Sequence, residues 1–412
     1  MLQPDYLVGM KRSVINGNQL MVMNIAFFGI PSGFFLCPFI NNPLPLGMGS
    51  VKFVIPLYNK VLGNFRHKRQ EKWRSEHLTE IRQKTLKTVL TKMLRENIMT
   101  ADYELKKLQG GTVGDVWLVS GTAETSNNGE LPYQLVLKKQ GKWKRFGDPE
   151  SWRREYDLYA SALGDYFAES CRWPTCYHVE MNEEEREAKI WMEYIDGTTG
   201  LDLSVDMYER AAYELGKFQG RLYAEKPTVL DKITNLSNAE FIQNYYEKYK
   251  SWNVVYDYIR SDNCGIPTHL CEMLIDMDDN SDHIFEAMKA LPVVLCHRDF
   301  WVANIFSVDD KIRLIDWDTA GWGYMGEDLA SLIADESDVN SMVSLYERCV
   351  PAYTKGFSEH VDISHITDLF VWERIILMFG YRIVEWYLDG ESDDEKKYQI
   401  ETLQKIYEME RS

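Results

Sequence analysis

Cysteine is sparse and unpaired in this 412-residue chain: seven residues, an odd number, scattered from Cys37 to Cys349 with no Cys-x-x-Cys spacing. That excludes a disulfide scaffold and leaves reduced thiols in a reducing compartment as the expectation. Charge is missing altogether between Arg12 and Lys52, and residues 21–40, "MVMNIAFFGIPSGFFLCPFI", are apolar over a length that could span a bilayer. Gly29, Pro31, Gly33, Pro38 and the polar Asn24 interrupt the run, and its length and flank are wrong for a signal peptide. The expectation is an ill-ordered extension over 1–65, or upstream sequence read in from a mistaken start, and not a membrane contact by 21–40. If the run did span, the twelve Lys and Arg of residues 52–95 would hold themselves and the rest of the chain on the cytoplasmic side. Both readings place the body in the cytoplasm. Internal repeats and low-complexity tracts are absent as well.

The charge that is present is unevenly spread. Residues 1–100 carry 14 Lys and Arg against 5 Asp and Glu, a net of +9, so the overall −17 leaves −26 on residues 101–412. An acidic body repels nucleic acid and draws cationic partners, although acidity also serves solubility alone.

Hydrophobic spacing divides the rest. Residues 66–97 read as an amphipathic helix. Short strands are expected over 103–109, 115–121 and 133–139, separated by "GGTVG" and "TAETSNNGELP", both turn chemistry. A helix is expected over 149–167, then strands near 174–180 and 187–195. Beyond "IDGTTG" the pattern is helical over 205–225, 238–259, 265–290, 327–336, 340–358, 364–388 and 393–410, with short strands inside 293–318. The expected fold class is α+β: a small sheet-rich lobe over 66–196, a hinge near 195–200, and a large helical lobe over 197–412.

The window "CHRDFWVANIFSVDDKIRLIDWD", residues 296–318, concentrates the chemistry. Its only histidine is His297, which disfavours a metal site built on imidazoles. Asp299, Asn304 five residues on, and Asp316 twelve beyond that each sit at the edge of an aliphatic run. Metal-assisted phosphoryl transfer needs such a set: hard oxygens to hold Mg²⁺ on nucleotide phosphates, and a separate carboxylate to orient the attacking hydroxyl. Buried turn-capping acids are the bland alternative for each motif taken singly. Upstream, Gly110, Gly111 and Gly114 of "GGTVGDVWLV" form a glycine turn whose bare backbone can approach phosphates, though no strict G-x-G-x-x-G is present. "LVLKK" offers a strand lysine for phosphates, and alternation leaves Lys138 and Lys139 open. Glu155, in the next helix, is the expected ion partner of that lysine. "IWMEYIDG" is an apolar strand that runs into a glycine turn; in a two-lobed kinase the backbone at this place, here Glu193, Tyr194 and Ile195, bonds the adenine edge.

The order glycine turn, strand lysine, helix glutamate, "MEYIDG", "HRDFWVAN", "LIDWD", "GEDLA" resembles the aminoglycoside phosphotransferase and choline kinase-like family of small-molecule kinases. The likeness covers residues 85–390. It implies a two-lobed protein-kinase-like fold with an antiparallel sheet in the small lobe, and ATP and Mg²⁺ as cofactors. By this resemblance Lys138 is the phosphate lysine, Asp299 the catalytic base, Asn304 and Asp316 the Mg²⁺ ligands, and His297 the histidine that structures the catalytic loop. Asp328 matches the family's structural acid at the start of the next helix, and Glu327 and Asp328 also suit a helix N-terminus. Two departures stand out. Arg298 replaces a small residue, and "FWVA" replaces a usual His-Pro pair. Asp318 adds a second acid, read as a turn cap or as a partner behind the metal. The lack of "DFG" and "APE" argues against a protein kinase. The expected acceptor is a small hydroxylated molecule of cationic character, such as an aminoglycoside or an amino alcohol, drawn by aromatics (Trp301, Trp317, Trp322, Tyr324) beside acids that include Glu327. Core packing is the alternative for those rings. A catalytically inactive kinase-fold binding protein is the alternative for the chain.

Overall fold

The computed structural model describes residues 13–15, 18–20, 81–108, 114–141, 148, 151–250 and 255–410. The apolar run 21–40, the first part of the helix expected over 66–97, and Gly110 and Gly111 therefore lie outside the described residues.

Helix α1 (Gln83–Leu94) buries Leu86, Val89 and Leu90, the i, i+3, i+4 stripe of an amphipathic helix, and stops at Arg95, whose φ is 56°. It lies on an antiparallel sheet built from β1 (Ile98–Ala101), β2 (Glu104–Lys107), β3 (Gly114–Thr125) and β4 (Gly129–Gly141). After α2 (Ser151–Ala160) and the two-residue β5 (Cys171–Arg172) come β6 (Cys176–Asn182) and β7 (Glu187–Glu193). The sheet order is β1-β3-β4-β7-β6, with β2 also on β3. Leu86, Val89 and Leu90 share a small core with Val119, Leu135, Leu137 and Trp191 of the sheet.

The turn expected over "TAETSNNGELP" shrinks to its centre. β3 and β4 pair without a break from Thr125–Gly129 back to Gly114–Gln140. Three residues suffice because the Thr125 hydroxyl accepts the Asn128 N–H at 3.0 Å and donates to the Gly129 carbonyl at 3.1 Å, and Gly129 takes the left-handed φ of 69°. Local turn chemistry closes the tip, and the ladder claims the rest.

The C-terminal part is mainly helical. Its elements are β8 (Thr198–Thr199), α3 (Val205–Glu225), α4 (Phe241–Lys250), α5 (Val255–Ile259), α6 (Thr268–Asp279) and α7 (Ser281–Met288). Then come β9 (Val293–Cys296), β10 (Ile305–Val308), β11 (Lys311–Leu314) and β12 (Gly321–Tyr324). Helices α8 (Glu327–Ala334), α9 (Met342–Ser358), α10 (Val371–Ile375), α11 (Tyr381–Asp389) and α12 (Asp393–Met409) complete the chain. β9 pairs with β12, and β10 and β11 form a hairpin. The single helix expected over 265–290 is two. Asn280 donates to the Asp276 carbonyl at 2.8 Å and Ser281 to the Asp278 carbonyl at 2.8 Å, so side chains occupy carbonyls that a continuing helix would use. The helix expected from 364 begins at Val371, because the Asp368 carboxylate captures the Phe370 N–H at 2.7 Å. Among the described residues no helix is long and apolar enough to cross a membrane.

α3 and α9 touch backbone to backbone. A Cβ at Gly216 would overlap the Tyr353 carbonyl, and one at Gly356 the Tyr213 carbonyl. Since the clash is with main chain, it cannot be relieved by a rotamer change. Gly356→Ala is expected to lower stability by about 1–3 kcal/mol, read as a drop in the urea midpoint at unchanged m-value. An unchanged midpoint would mean the helices separate freely.

Candidate active site

Strand alternation, blind to the choice between two lysines, is resolved by what each face meets. Lys138 and Gln140 share the inner face of β4, where the Lys138 ammonium lies 2.5 Å from Glu155 Oε2 and 2.8 Å from Asp316 Oδ1. Gln140 donates to Glu155 at 3.0 Å, and Glu155 Oε1 accepts the Trp317 N–H at 3.4 Å. Lys139 points the other way and pairs with Glu187 on β7 at 2.7 Å. Burial alone would lower the Lys138 pKa, but Asp316 and Glu155 outweigh it and hold the ammonium charged. Burial pushes the Glu155 carboxyl up to about 7, with Lys138 pulling against it.

The window 296–318 folds into one continuous edge. β9 ends at Cys296, a short turn over Val302–Asn304 precedes β10, and β11 returns the chain to Asp316. Asn304 Nδ2 donates to the Asp299 carboxylate at 2.8 Å and to its carbonyl at 2.9 Å, so the two residues form one unit. His297 is wholly buried. Its Nε2 lies 2.9 Å from the Ile315 carbonyl, which can only accept, so Nε2 carries the hydrogen; Nδ1 accepts the Asp299 N–H at 3.3 Å. Burial pushes the His297 pKa down to about 4, against the opposing pull of Asp316. The imidazole is thus a neutral brace between Asp299 and the strand that delivers Asp316. Asp328, at the start of α8, accepts the N–H of His297 at 3.0 Å and of Arg298 at 2.7 Å, while Gln219 donates to it at 3.0 Å. Burial raises the Asp328 pKa to about 6, and those two N–H bonds oppose the rise.

Donor chemistry at this edge fits a hard cation. The Asn304 amide nitrogen is committed to Asp299, which leaves its oxygen as the end suited to a metal; Asp316 is an oxygen donor from the opposite strand. Among the described residues no three His, Cys, Asp or Glu side chains gather as a metal cage.

A family model described as the phosphotransferase enzyme family matches residues 104–357, more than half of the chain. The chain belongs to that family. It is a small-molecule phosphotransferase, as the resemblance led one to expect. No curated protein matches it. Among solved structures it is similar to a choline kinase from Cryptosporidium parvum, at 15% identity over 75% of this chain and 89% of that one, with TM-score 0.43. An ethanolamine kinase from Plasmodium vivax gives 16% identity over 74% and 81%, with TM-score 0.43. A microcompartment-associated aminopropanol kinase gives 14% over 78% and 94%, with TM-score 0.47.

The other expected residues of the phosphotransferase have mixed surroundings. Gly114 opens β3 against the Lys139 backbone, where a Cβ would collide with a carbonyl, so strand pairing alone requires a glycine there. Glu193 ends β7 with its carboxylate on Arg172 at 2.7 Å and the Thr175 N–H at 2.9 Å; Tyr194 and Ile195 come next, half-buried. Asp318 lies buried in the short turn Trp317–Thr319, where its carbonyl accepts from Arg154. Two acceptor expectations are corrected. Trp317 is fully buried against Phe167, Trp173, Phe218 and His297, which is core packing. Glu327 is buried in an ion pair with Arg298 at 2.8 Å, so it cannot serve as an acid lining the mouth.

Sequence reading missed two groups. Arg154, beside Glu155 on α2, holds Asp148 with two bonds of 2.6 Å, the Asn235 carbonyl at 2.8 Å and the Asp318 carbonyl at 2.9 Å. A second arginine in "WRREY" was the available signal, but nothing in spacing tells a buried Arg from a solvated one. Asp335 lines a cavity of about 50 Å³ together with Asp299, Phe241, Tyr245, Phe379 and Tyr381.

His297 titrates at about 4 when folded and near 6.5 when exposed. Its depressed value contributes stability that is present above pH 6.5 and lost as pH falls toward 4. His297→Gln should therefore flatten the acid limb of stability between pH 6.5 and 4 by about one proton, read from urea midpoints across that range. An acid limb as steep as the wild type's would contradict a neutral, buried imidazole.

Proposed function

We propose that this phosphotransferase moves the γ-phosphoryl group of ATP to a hydroxyl of a compact, cationic acceptor, with Mg²⁺ on the nucleotide. The observation that carries the reading is the Lys138 ammonium bonded at once to Glu155 and Asp316, beside an Asp299 tied to Asn304. In this reading the described sheet belongs to a nucleotide-binding lobe over 66–196, the helices to an acceptor lobe over 197–412, and 1–65 is an extension. Lys138 holds the α- and β-phosphates, and Glu155 fixes Lys138. By the family resemblance, the glycine turn with Gly110, Gly111 and Gly114 is assigned to the phosphates and the backbone of 193–195 to the adenine edge. Asn304 and Asp316 would hold Mg²⁺, which when bound neutralises charge on the phosphates. Asp299 takes the proton of the acceptor hydroxyl as its oxygen bonds to phosphorus and ADP leaves. The unlinked thiols of the six described cysteines support a reducing, cytoplasmic setting.

Acceptor chemistry is supported by the cavity beside Asp299. A volume of about 50 Å³ holds only a few water-sized groups, which favours an amino alcohol over a multi-ring aminoglycoside. Asp335 is more than nine-tenths buried, its Oδ1 has no hydrogen-bond partner, and its nearest cation is Arg382 at 3.9 Å. Burial pushes its carboxyl up to about 6. An ammonium entering among the rings would satisfy that oxygen.

ADP release from Mg·ATP should be followed with ethanolamine, choline, an aminoglycoside, glucose and adenosine as acceptors. Turnover is expected with the amino alcohols. Asp299→Asn should lower kcat by roughly 10²–10⁴-fold while Mg·ATP binding is kept, because proton acceptance matters only in the transition state. Asp335→Asn should raise the acceptor KM about tenfold or more and leave the KM for ATP alone, since it removes an interaction with the acceptor only. Absence of both Mg·ATP binding and turnover would favour the inactive kinase-fold protein.

A further inference from the structure

We propose that Arg298 is a positioning residue that fixes the acceptor-side helix α4 against the catalytic loop and so sets where a bound hydroxyl sits relative to Asp299. The residue lies between His297 and Asp299 with φ at 64°, a left-handed conformation in which an arginine is disfavoured. Strain held at such a position needs surroundings that over-determine it, and here they do. The guanidinium is buried and every arm is used. Nε donates to Glu327 at 2.8 Å, Nη1 to the Ser237 hydroxyl at 2.5 Å, and Nη2 to the carbonyls of Asn238, at 2.8 Å, and Trp322. Its plane also lies over the Phe241 ring, 4.9 Å from the centroid.

Those partners come from three places: the segment leading into α4, strand β12, and the first turn of α8. The α4 segment matters most, because Phe241 and Tyr245 line the cavity that Asp299 also lines. Neighbouring residues are shaped to admit the cross-link. A Cβ at Gly321 would come within 2.7 Å of Arg298 Nη1, and one at Gly323 within 2.5 Å of Glu327 Oε2. Both glycines of "GWG" therefore leave room for the two members of one buried ion pair. A planar fork with five donors can serve a carboxylate, a hydroxyl and two carbonyls together, and a lysine cannot.

The kinetic arm of the test rests on the phosphotransfer reading, and the exchange arm does not. Arg298→Gly suits the left-handed backbone and removes only the fork; Arg298→Lys keeps the charge. Backbone amide exchange, measured by mass spectrometry, should rise about tenfold or more over residues 237–250 in Arg298→Gly and by less in Arg298→Lys, with residues 151–160 unchanged. The kcat for Mg·ATP turnover in water should fall about tenfold or more in Arg298→Gly, with KM for Mg·ATP within about twofold, because misplacement at the reacting centre spares nucleotide binding. Unchanged exchange over 237–250, or a Lys variant equal to wild type in both measurements, would overturn the proposal. Should Arg298→Gly fail to fold, Ser237→Ala in the same exchange measurement decides: a local rise over 237–250 supports the cross-link, and none overturns it. A wild-type protein without ATP turnover would count against the phosphotransfer reading, and exchange would then judge Arg298 alone.

Discussion

One buried ammonium organises the molecule. Lys138 ties the inner face of the antiparallel sheet to α2 through Glu155 and to the end of β11 through Asp316, elements that the chain separates by as many as 178 residues. Such a pair is not chiefly a source of stability, since desolvation offsets most of the Coulomb attraction. Removing one partner is another matter, because the charge left behind is buried and uncompensated, at a cost on the order of 3–5 kcal/mol. The arrangement is therefore specific: strand, helix and catalytic window hold their register or lose the pairing together. Arg154 reinforces it one residue from Glu155, clamping the carbonyls of Asn235 and Asp318.

A second layer of buried polar groups braces the window 296–318 from behind. His297, Asp328 and Gln219 spend their hydrogen-bonding capacity on the backbone around Asp299, and Tyr353 on α9 donates to Gln219 at 2.5 Å. Each is enclosed by protein, so each bond is formed away from competing water, where an unmade bond is expensive. The acids of the window thus divide by environment. Asp328 and Glu327 are held by backbone N–H groups and by Arg298, Asp316 pairs with Lys138, and Asp299 and Asp335 line one cavity.

That division was only partly legible in the linear order of residues. The strand that carries a lysine, the helix that carries Glu155 and the loop ends at Asp299, Asn304 and Asp316 could be expected because each rests on local spacing, while alternation left Lys138 and Lys139 open. Turn and helix limits were read less well. "TAETSNNGELP" carries turn residues throughout, yet cross-strand pairing overrode all but three of them. The 265–290 pattern lacks a proline or glycine break inside its helical run, and a break came from Asn280 and Ser281 reaching back to carbonyls.

By itself the sequence determined the kind of chemistry available, the order in which its parts arrive and the strand that carries the lysine, since residue types and short-range periodicity need no tertiary context. Tertiary structure alone decided which of two adjacent lysines turns inward, because alternation defines two faces without saying which is covered. It also decided that Glu327 is spent on Arg298 and Trp317 on the core, while Asp335, unmarked by any motif, lines the same cavity as Asp299. Burial and the identity of a charge's partner depend on chain segments that meet only when folded, and no spacing rule along the chain encodes that meeting.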